Sequence, residues 1–325
     1  MNRLSIPLLV AMLAVTACRS GDTIGGFVPA EAPPTPSGFT ITSANALSVA
    51  QESWGAVVQS TDLVGLFGSS GGFVASVPGT VNKVQGIVSA PGSGGSAGQG
   101  VAIPSIDFPC ATGIVTVSGE IFDPITPTLT PGDFIDSVYA DCDEGTGEVV
   151  NGMVRMTVDA FVGDLTLGVY DLTATFVLTN LQVATATDVL ASTGTVTVAL
   201  DTTMLPAIAA SVSGSSLTTD GNTASETLTN FQAAQSVDAG LQPAPFSMDS
   251  SGTLNSSELA GVISYSTPVT LQGFDFDFPS SGEFLVTSGT SSLRLIALDN
   301  INVRIEINND GVIEIIDTTW AAFTN

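Results

Sequence analysis

Carboxylates are the main chemical resource of this chain. Of 325 residues, 31 are Asp or Glu, six are Lys or Arg, and none is His. The segment Glu306-Ile307-Asn308-Asn309-Asp310-Gly311-Val312-Ile313-Glu314 is the best cation candidate. Its order matches the start of a D-x-N-x-D-G calcium loop, with Glu306 where Asp is usual. A three-residue turn at Asn309-Asp310-Gly311 suits Gly in the left-handed position. That turn pairs Ile307 with Ile313 and Ile305 with Ile315, and it sets Glu306 opposite Glu314. Like charges opposed across strands are unfavourable. A calcium ion held by Glu306, Asn308, Asp310 and Glu314 would relieve them. In the competing reading Arg304, on the same face, does so.

Two further acidic segments invite chemistry. In Phe274-Asp275-Phe276-Asp277-Phe278, Asp275 and Asp277 share one strand face, about 6.6–7 Å apart. Such a pair could act as acid and base on a sugar, although an exposed Asp ladder is the commoner use. Asp249-Ser250-Ser251-Gly252 carries a turn signal with a similar calcium likeness.

Nucleophilic chemistry is poorly served. No His can activate a Ser. The single Lys, Lys83, has Thr80 three residues before it, so there is no Ser-x-x-Lys. The glycine-rich Pro91-Gly92-Ser93-Gly94-Gly95-Ser96 lacks the Lys-Ser or Lys-Thr of a phosphate loop. A hydrolase is therefore the most distant reading, and no cofactor beyond calcium is expected. The net charge of −25 argues against DNA, RNA and anionic headgroups as partners.

The elements that must position these residues are mostly strands. Only 11% of residues are charged and 44% are hydrophobic, enough to bury a core. One helix is predicted from Ala44 to about Phe67, capped by Thr42 or Ser43. Leu47, Ala50, Trp54, Val57 and Val58 form its core-facing stripe, and Gly55 weakens its middle. From Ile106 onward apolar residues alternate with polar ones. Val154, Met156, Val158 and Ala160 face one way. So do Val196, Val198 and Leu200, and likewise Ile301, Val303, Ile305 and Ile307. This pattern marks antiparallel strands with one buried face, roughly twelve to fourteen of them. Pro131-Gly132-Asp133 and Asp310-Gly311 mark turns.

Leu178-Thr179-Asn180-Leu181-Gln182 returns as Leu228-Thr229-Asn230-Phe231-Gln232, with Leu298-Asp299-Asn300-Ile301 as a looser copy. A strand introduced by Gly152, Gly194 or Gly282 precedes each copy. The repetition reads as a recurring hairpin module in a long meander. The predicted fold is mainly β: one large curved antiparallel sheet or open barrel, with the N-terminal helix packed on it.

The N-terminus sets the compartment. Met1-Asn2-Arg3, a mostly apolar run from Leu4 to Val15, then Thr16-Ala17-Cys18 form a secretory leader too short to span a membrane. Val15-Thr16-Ala17-Cys18 resembles the lipobox of bacterial lipoproteins. The resemblance implies cleavage before Cys18 and a diacylglycerol on its thiol. Arg19, where Asp would hold a protein at the inner membrane, implies the outer membrane. In layout the chain is similar to β-rich envelope lipoproteins. The expected organisation is a leader over 1–17 and a Pro-rich tether over 18–38. A helix with a Gly/Ser-rich loop follows over 39–105, and a β domain over 106–325.

With Cys18 lipidated, Cys110 and Cys142 remain. An even pair in an oxidising compartment, without CxxC spacing, is expected to form a structural disulfide. The sequence thus points to a lipid-anchored, non-catalytic envelope protein with a structural, adhesive or binding role. The alternative is a carrier of a hydrophobic ligand in a hollow of the sheet.

Overall fold

The computed structural model describes residues 39–68, 100–122, 129–143, 145, 147–164, 167–185, 189–222, 224–259, 261–274 and 278–323. The leader, the tether, Lys83 and the pair Asp275 and Asp277 lie outside them.

One helix precedes a run of strands. Helix α1 is Ala46–Gly68. The first seven strands are β1 Val101–Pro109, β2 Thr112–Ile121, β3 Phe134–Asp143, β4 Val149–Asp164, β5 Val169–Ala184, β6 Val189–Met204 and β7 Ala207–Asp220. The second seven are β8 Ser225–Asp238, β9 Pro245–Ser256, β10 Val262–Phe274, β11 Ser281–Ser288, β12 Ser291–Ala297, β13 Asn302–Asn309 and β14 Val312–Thr319. A single 3-10 turn, Trp320–Phe323, closes the described chain. All fourteen strands lie in one sheet in sequence order, each antiparallel to the next, with β1 and β14 as its edges. The expected open meander with a helix packed on it is what forms. Its first strand begins five residues before the expected boundary at Ile106.

The alternating pattern sets which face is buried. Val154, Met156 and Val158 are buried, as are Val196, Val198, Leu200, Val303, Ile305 and Ile307. Two expected inward residues face out. Ala160 follows a register shift beside Asp159, and Ile301, 61% exposed, lies in the turn before β13. Helix α1 packs on the buried face, against β6 to β9, β12 and the C-terminal turn. Ala50, Trp54 and Val57 enter the core as expected, whereas Leu47 and Val58 stay exposed. The helix cap also differs. Asn45, not Thr42 or Ser43, precedes the first helical turn, and its carbonyl accepts the Val49 N–H. Its side-chain oxygen accepts the Thr42 N–H at 2.8 Å. The helix continues through Gly55 because its neighbours Trp54, Ala56 and Val57 are anchored in the core.

The repeat has a structural meaning that periodicity alone does not give. Asn180 and Asn230 both have φ near +47° (46° and 48°), a left-handed conformation that Asn tolerates better than most residues. Each sits where its strand slips register, between Leu178 and Leu181 and between Thr229 and Gln232. Each is the extra residue of a β-bulge, which bends a strand and tightens its twist. Asp141, with φ 49°, does the same in β3. Further slips follow at Thr195/Thr197 between β6 and β7 and at Ser266/Leu271 between β9 and β10, while β7 and β8 pair without one. Such bulges bend the strands that carry them, and α1 packs on the buried face of the sheet they shape. Gly152, with φ 106°, lies against the Asn180 bulge, where a side chain would collide with the Asn180 carbonyl. The looser copy at Leu298–Ile301 is a turn between β12 and β13, not a bulge.

Candidate functional site

The calcium candidate at the C-terminal hairpin does not assemble. Its turn has two central residues, Asp310 and Gly311, both with positive φ (51° and 84°). That is the hairpin turn whose twist matches the flanking strands. The resulting register pairs Asn309 with Val312, Ile307 with Glu314, Glu306 with Ile315 and Ile305 with Ile316. Glu306 therefore faces the outer side of the sheet, together with Arg304 and Asn308. Glu314 lies on the side of Ile305 and Ile307. Expected to oppose each other, the two carboxylates sit on opposite faces. Asn308 instead accepts the Gly311 N–H at 3.0 Å, which stabilises the turn. Asp310 sits at the tip and accepts from Thr290 at 3.4 Å.

Three arginines of the sheet are each paired with a carboxylate. Arg304 opposes Asp317 and binds it through two nitrogens, at 2.8 and 3.2 Å. This hydrogen bond holds the Asp317 carboxyl below its usual range. Arg294, which opposes Glu306 across β12 and β13, lies 3.6 Å from Glu283. Arg155 grips Asp136 with two bonds of 2.6 Å and lies 4.7 Å over the Phe134 ring. Among the described residues no three His, Cys, Asp or Glu side chains gather closely enough to hold a metal ion.

The other candidates resolve similarly. Asp249-Ser250-Ser251-Gly252 is not a turn. It lies within β9, opposite the widest register slip of β10, and Asp249 accepts from Thr267 at 3.3 Å. Asp133 of Pro131-Gly132-Asp133 is buried. It accepts the Phe122 and Thr130 N–H groups at 2.7 and 2.8 Å and so closes the turn into β3. Cys110 and Cys142 form the expected disulfide, with Cα atoms 5.4 Å apart. It ties the β1–β2 turn to the end of β3. Cys18 lies outside the described residues.

Two features escaped sequence reasoning. Asp171 and Asp201 stand directly opposite each other on β5 and β6, which requires the register to be known. A hydroxyl-rich outer face also covers the central strands. Thr157, Thr175, Thr197 and Ser213 follow one another across four strands. The Thr175 and Thr197 hydroxyls are 3.3 Å apart. The Thr-Val-Thr and Thr-Ala-Thr runs in the sequence are the signal that could have found this face.

The buried face is occupied by packing. Trp320 lies 4.8 Å from Trp54 and 5.8 Å from Phe323, ring centre to ring centre. Trp54 meets Phe284 edge-on at 6.2 Å. No family model matches this chain, nor does any curated protein or solved structure.

Proposed function

We propose that this is a lipid-anchored, non-catalytic protein of the bacterial envelope, held at the outer membrane, whose open sheet serves a structural, adhesive or binding role. The observation that carries the anchor is Val15-Thr16-Ala17-Cys18 behind a short positive start and an apolar run. Several acyl chains, at roughly 0.8 kcal/mol per buried methylene, hold a protein at a membrane almost permanently. The binding or structural role is supported by how the carboxylates are used. Asp136, Asp317, Asp133 and Asp249 each have a local partner, and the helix-facing side of the sheet is given over to apolar packing.

The test is Cys18→Ala. Wild-type protein should incorporate labelled palmitate and fractionate with the outer membrane, and the variant should do neither. Label entering the variant would remove the anchor. Esterase, peptidase or glycosidase turnover by purified protein, abolished by a single Ser or Asp substitution, would overturn the non-catalytic part.

A further inference from the structure

The two edges of the open sheet are built differently. β1 carries Pro104 and Pro109, and its pairing with β2 slips between Ile103 and Ile106. A proline, which lacks an N–H, and a break in register both blunt an edge against a further strand. β14 has neither device. Among the described residues it is the last strand of the sheet, and it pairs with β13 at eight consecutive positions without a slip. It holds no Pro, Lys or Arg. Val312, Ile313 and Ile315 are 64%, 62% and 55% exposed. The strand is held firmly at its far end, because Trp320, the next residue, is buried in the core.

The turn at Asp310-Gly311 decides which backbone groups face the open edge. In a two-residue hairpin the flanking pair, here Asn309 and Val312, exchanges hydrogen bonds, and bonded pairs then alternate along the strands. Val312, Glu314, Ile316 and Thr318 therefore direct their N–H and C=O groups to β13. Those of Ile313, Ile315 and Asp317 point away from it, along the edge. The side chains of these three lie on the outer face, where Asp317 is held by Arg304 at 2.8 Å.

We propose that β14 is a docking edge for β14 of a second copy of this chain, the two strands running antiparallel about a two-fold axis beside Ile315. The strand is its own complement in that register. Ile315 meets its counterpart, Ile313 meets the partner's Asp317, Glu314 meets the partner's Ile316 and Val312 meets the partner's Thr318. No carboxylate faces another, and Asp317 arrives already neutralised by Arg304. An axis beside Glu314 would oppose two like charges, which is unfavourable. An axis beside Ile316 would set exposed Ile315 against the partner's Asp317 and lose the apolar pair. The register also joins the groups that point along the edge, giving about six main-chain hydrogen bonds between the copies. Pro104 blunts β1, so a β14 edge cannot extend onto the β1 edge of the next copy. The contact is therefore isologous and closes as a dimer instead of growing into a fibre. The net charge of −25 opposes approach at long range, but salt screens it beyond about 8 Å at physiological ionic strength. The inference is independent of the lipid anchor.

The experiment uses the full chain, as Ile315→Cys or Ile313→Cys, under mild oxidation in salt that screens the net charge. Both residues are exposed, so thermal melts should match the wild type. One strand pair is a small interface, and a disulfide traps it. In a bonded pair the Cα atoms are about 5.5 Å apart, within disulfide range. Position 313 lies about 14 Å along the strand from its counterpart, out of range. Non-reducing gels should show Ile315→Cys as a covalent dimer, with peptide mapping finding position 315 joined to its counterpart, and Ile313→Cys should not link to itself. Ile315→Cys without that link would overturn the proposal, as would equal linking by both variants, which marks random collision. A dimer joined only through Cys18 would count against this proposal and the anchor alike.

Discussion

Asp171 on β5 lies directly opposite Asp201 on β6, two like charges paired across adjacent strands. Partial burial and then the Asp201 charge raise the Asp171 carboxyl above its ordinary value of 3.8. A carboxyl raised in the fold favours folding when protonated. That contribution is complete below the unfolded value and is lost as pH rises through the folded one. At neutral pH the pair therefore costs stability. Asp171→Asn should stabilise the protein at pH 7 by about 0.2–1 kcal/mol, toward the lower end because water screens the pair. Chemical denaturation at pH 7 and pH 3 should show the gain at pH 7 and its disappearance at pH 3. A gain that persists at pH 3 would deny the charge origin.

The Asn180 bulge makes Gly152 irreplaceable. Its φ of 106° is outside the range of ordinary L residues, and a Cβ would strike the Asn180 carbonyl and the Leu181 Cα. Gly152→Ala should destabilise by about 2 kcal/mol or more. Gly55→Ala, in open space on α1, should stabilise by up to about 1 kcal/mol. Urea midpoints of the two variants should move in opposite directions.

The Cys110–Cys142 bridge closes a separation of 32 residues. By chain entropy it contributes roughly 3–4 kcal/mol. Replacing both with Ser should lower the melting temperature by several degrees, and reductant should change the wild type but not the double variant. Two free thiols in native protein would contradict the bridge.

Trp320 is the hub between the chain's two ends. It is fully buried, stacks on Phe278 and meets Trp54 at a tilt of 41°. Its indole N–H donates to the Asp299 carbonyl at 3.2 Å. Trp320→Ala should cost about 3–5 kcal/mol. Trp54→Ala should remove part of the same ring contact, so the double variant should lose less than the sum of the singles. Additive losses in a double-mutant cycle would show that the rings do not couple.

Sequence alone determined the class of fold. Val154, Met156 and Val158, or Val303, Ile305 and Ile307, alternate with polar neighbours, and that period of two specifies a strand and its buried face wherever the chain runs. The even Cys pair was legible for a similar reason, since few partners existed. Register was not legible. Whether the last hairpin turns on two residues or three changes one count. That count moved Glu314 to the other face from Glu306 and dispersed the calcium candidate, although matching the apolar residues across the hairpin had favoured three. Repetition of Leu-Thr-Asn was visible, but only the paired strands revealed each Asn as the extra residue of a bulge. The tertiary structure alone placed Asp171 against Asp201, because that pairing is set by the register between two strands. A local pattern records which side a residue faces, not which residue it meets.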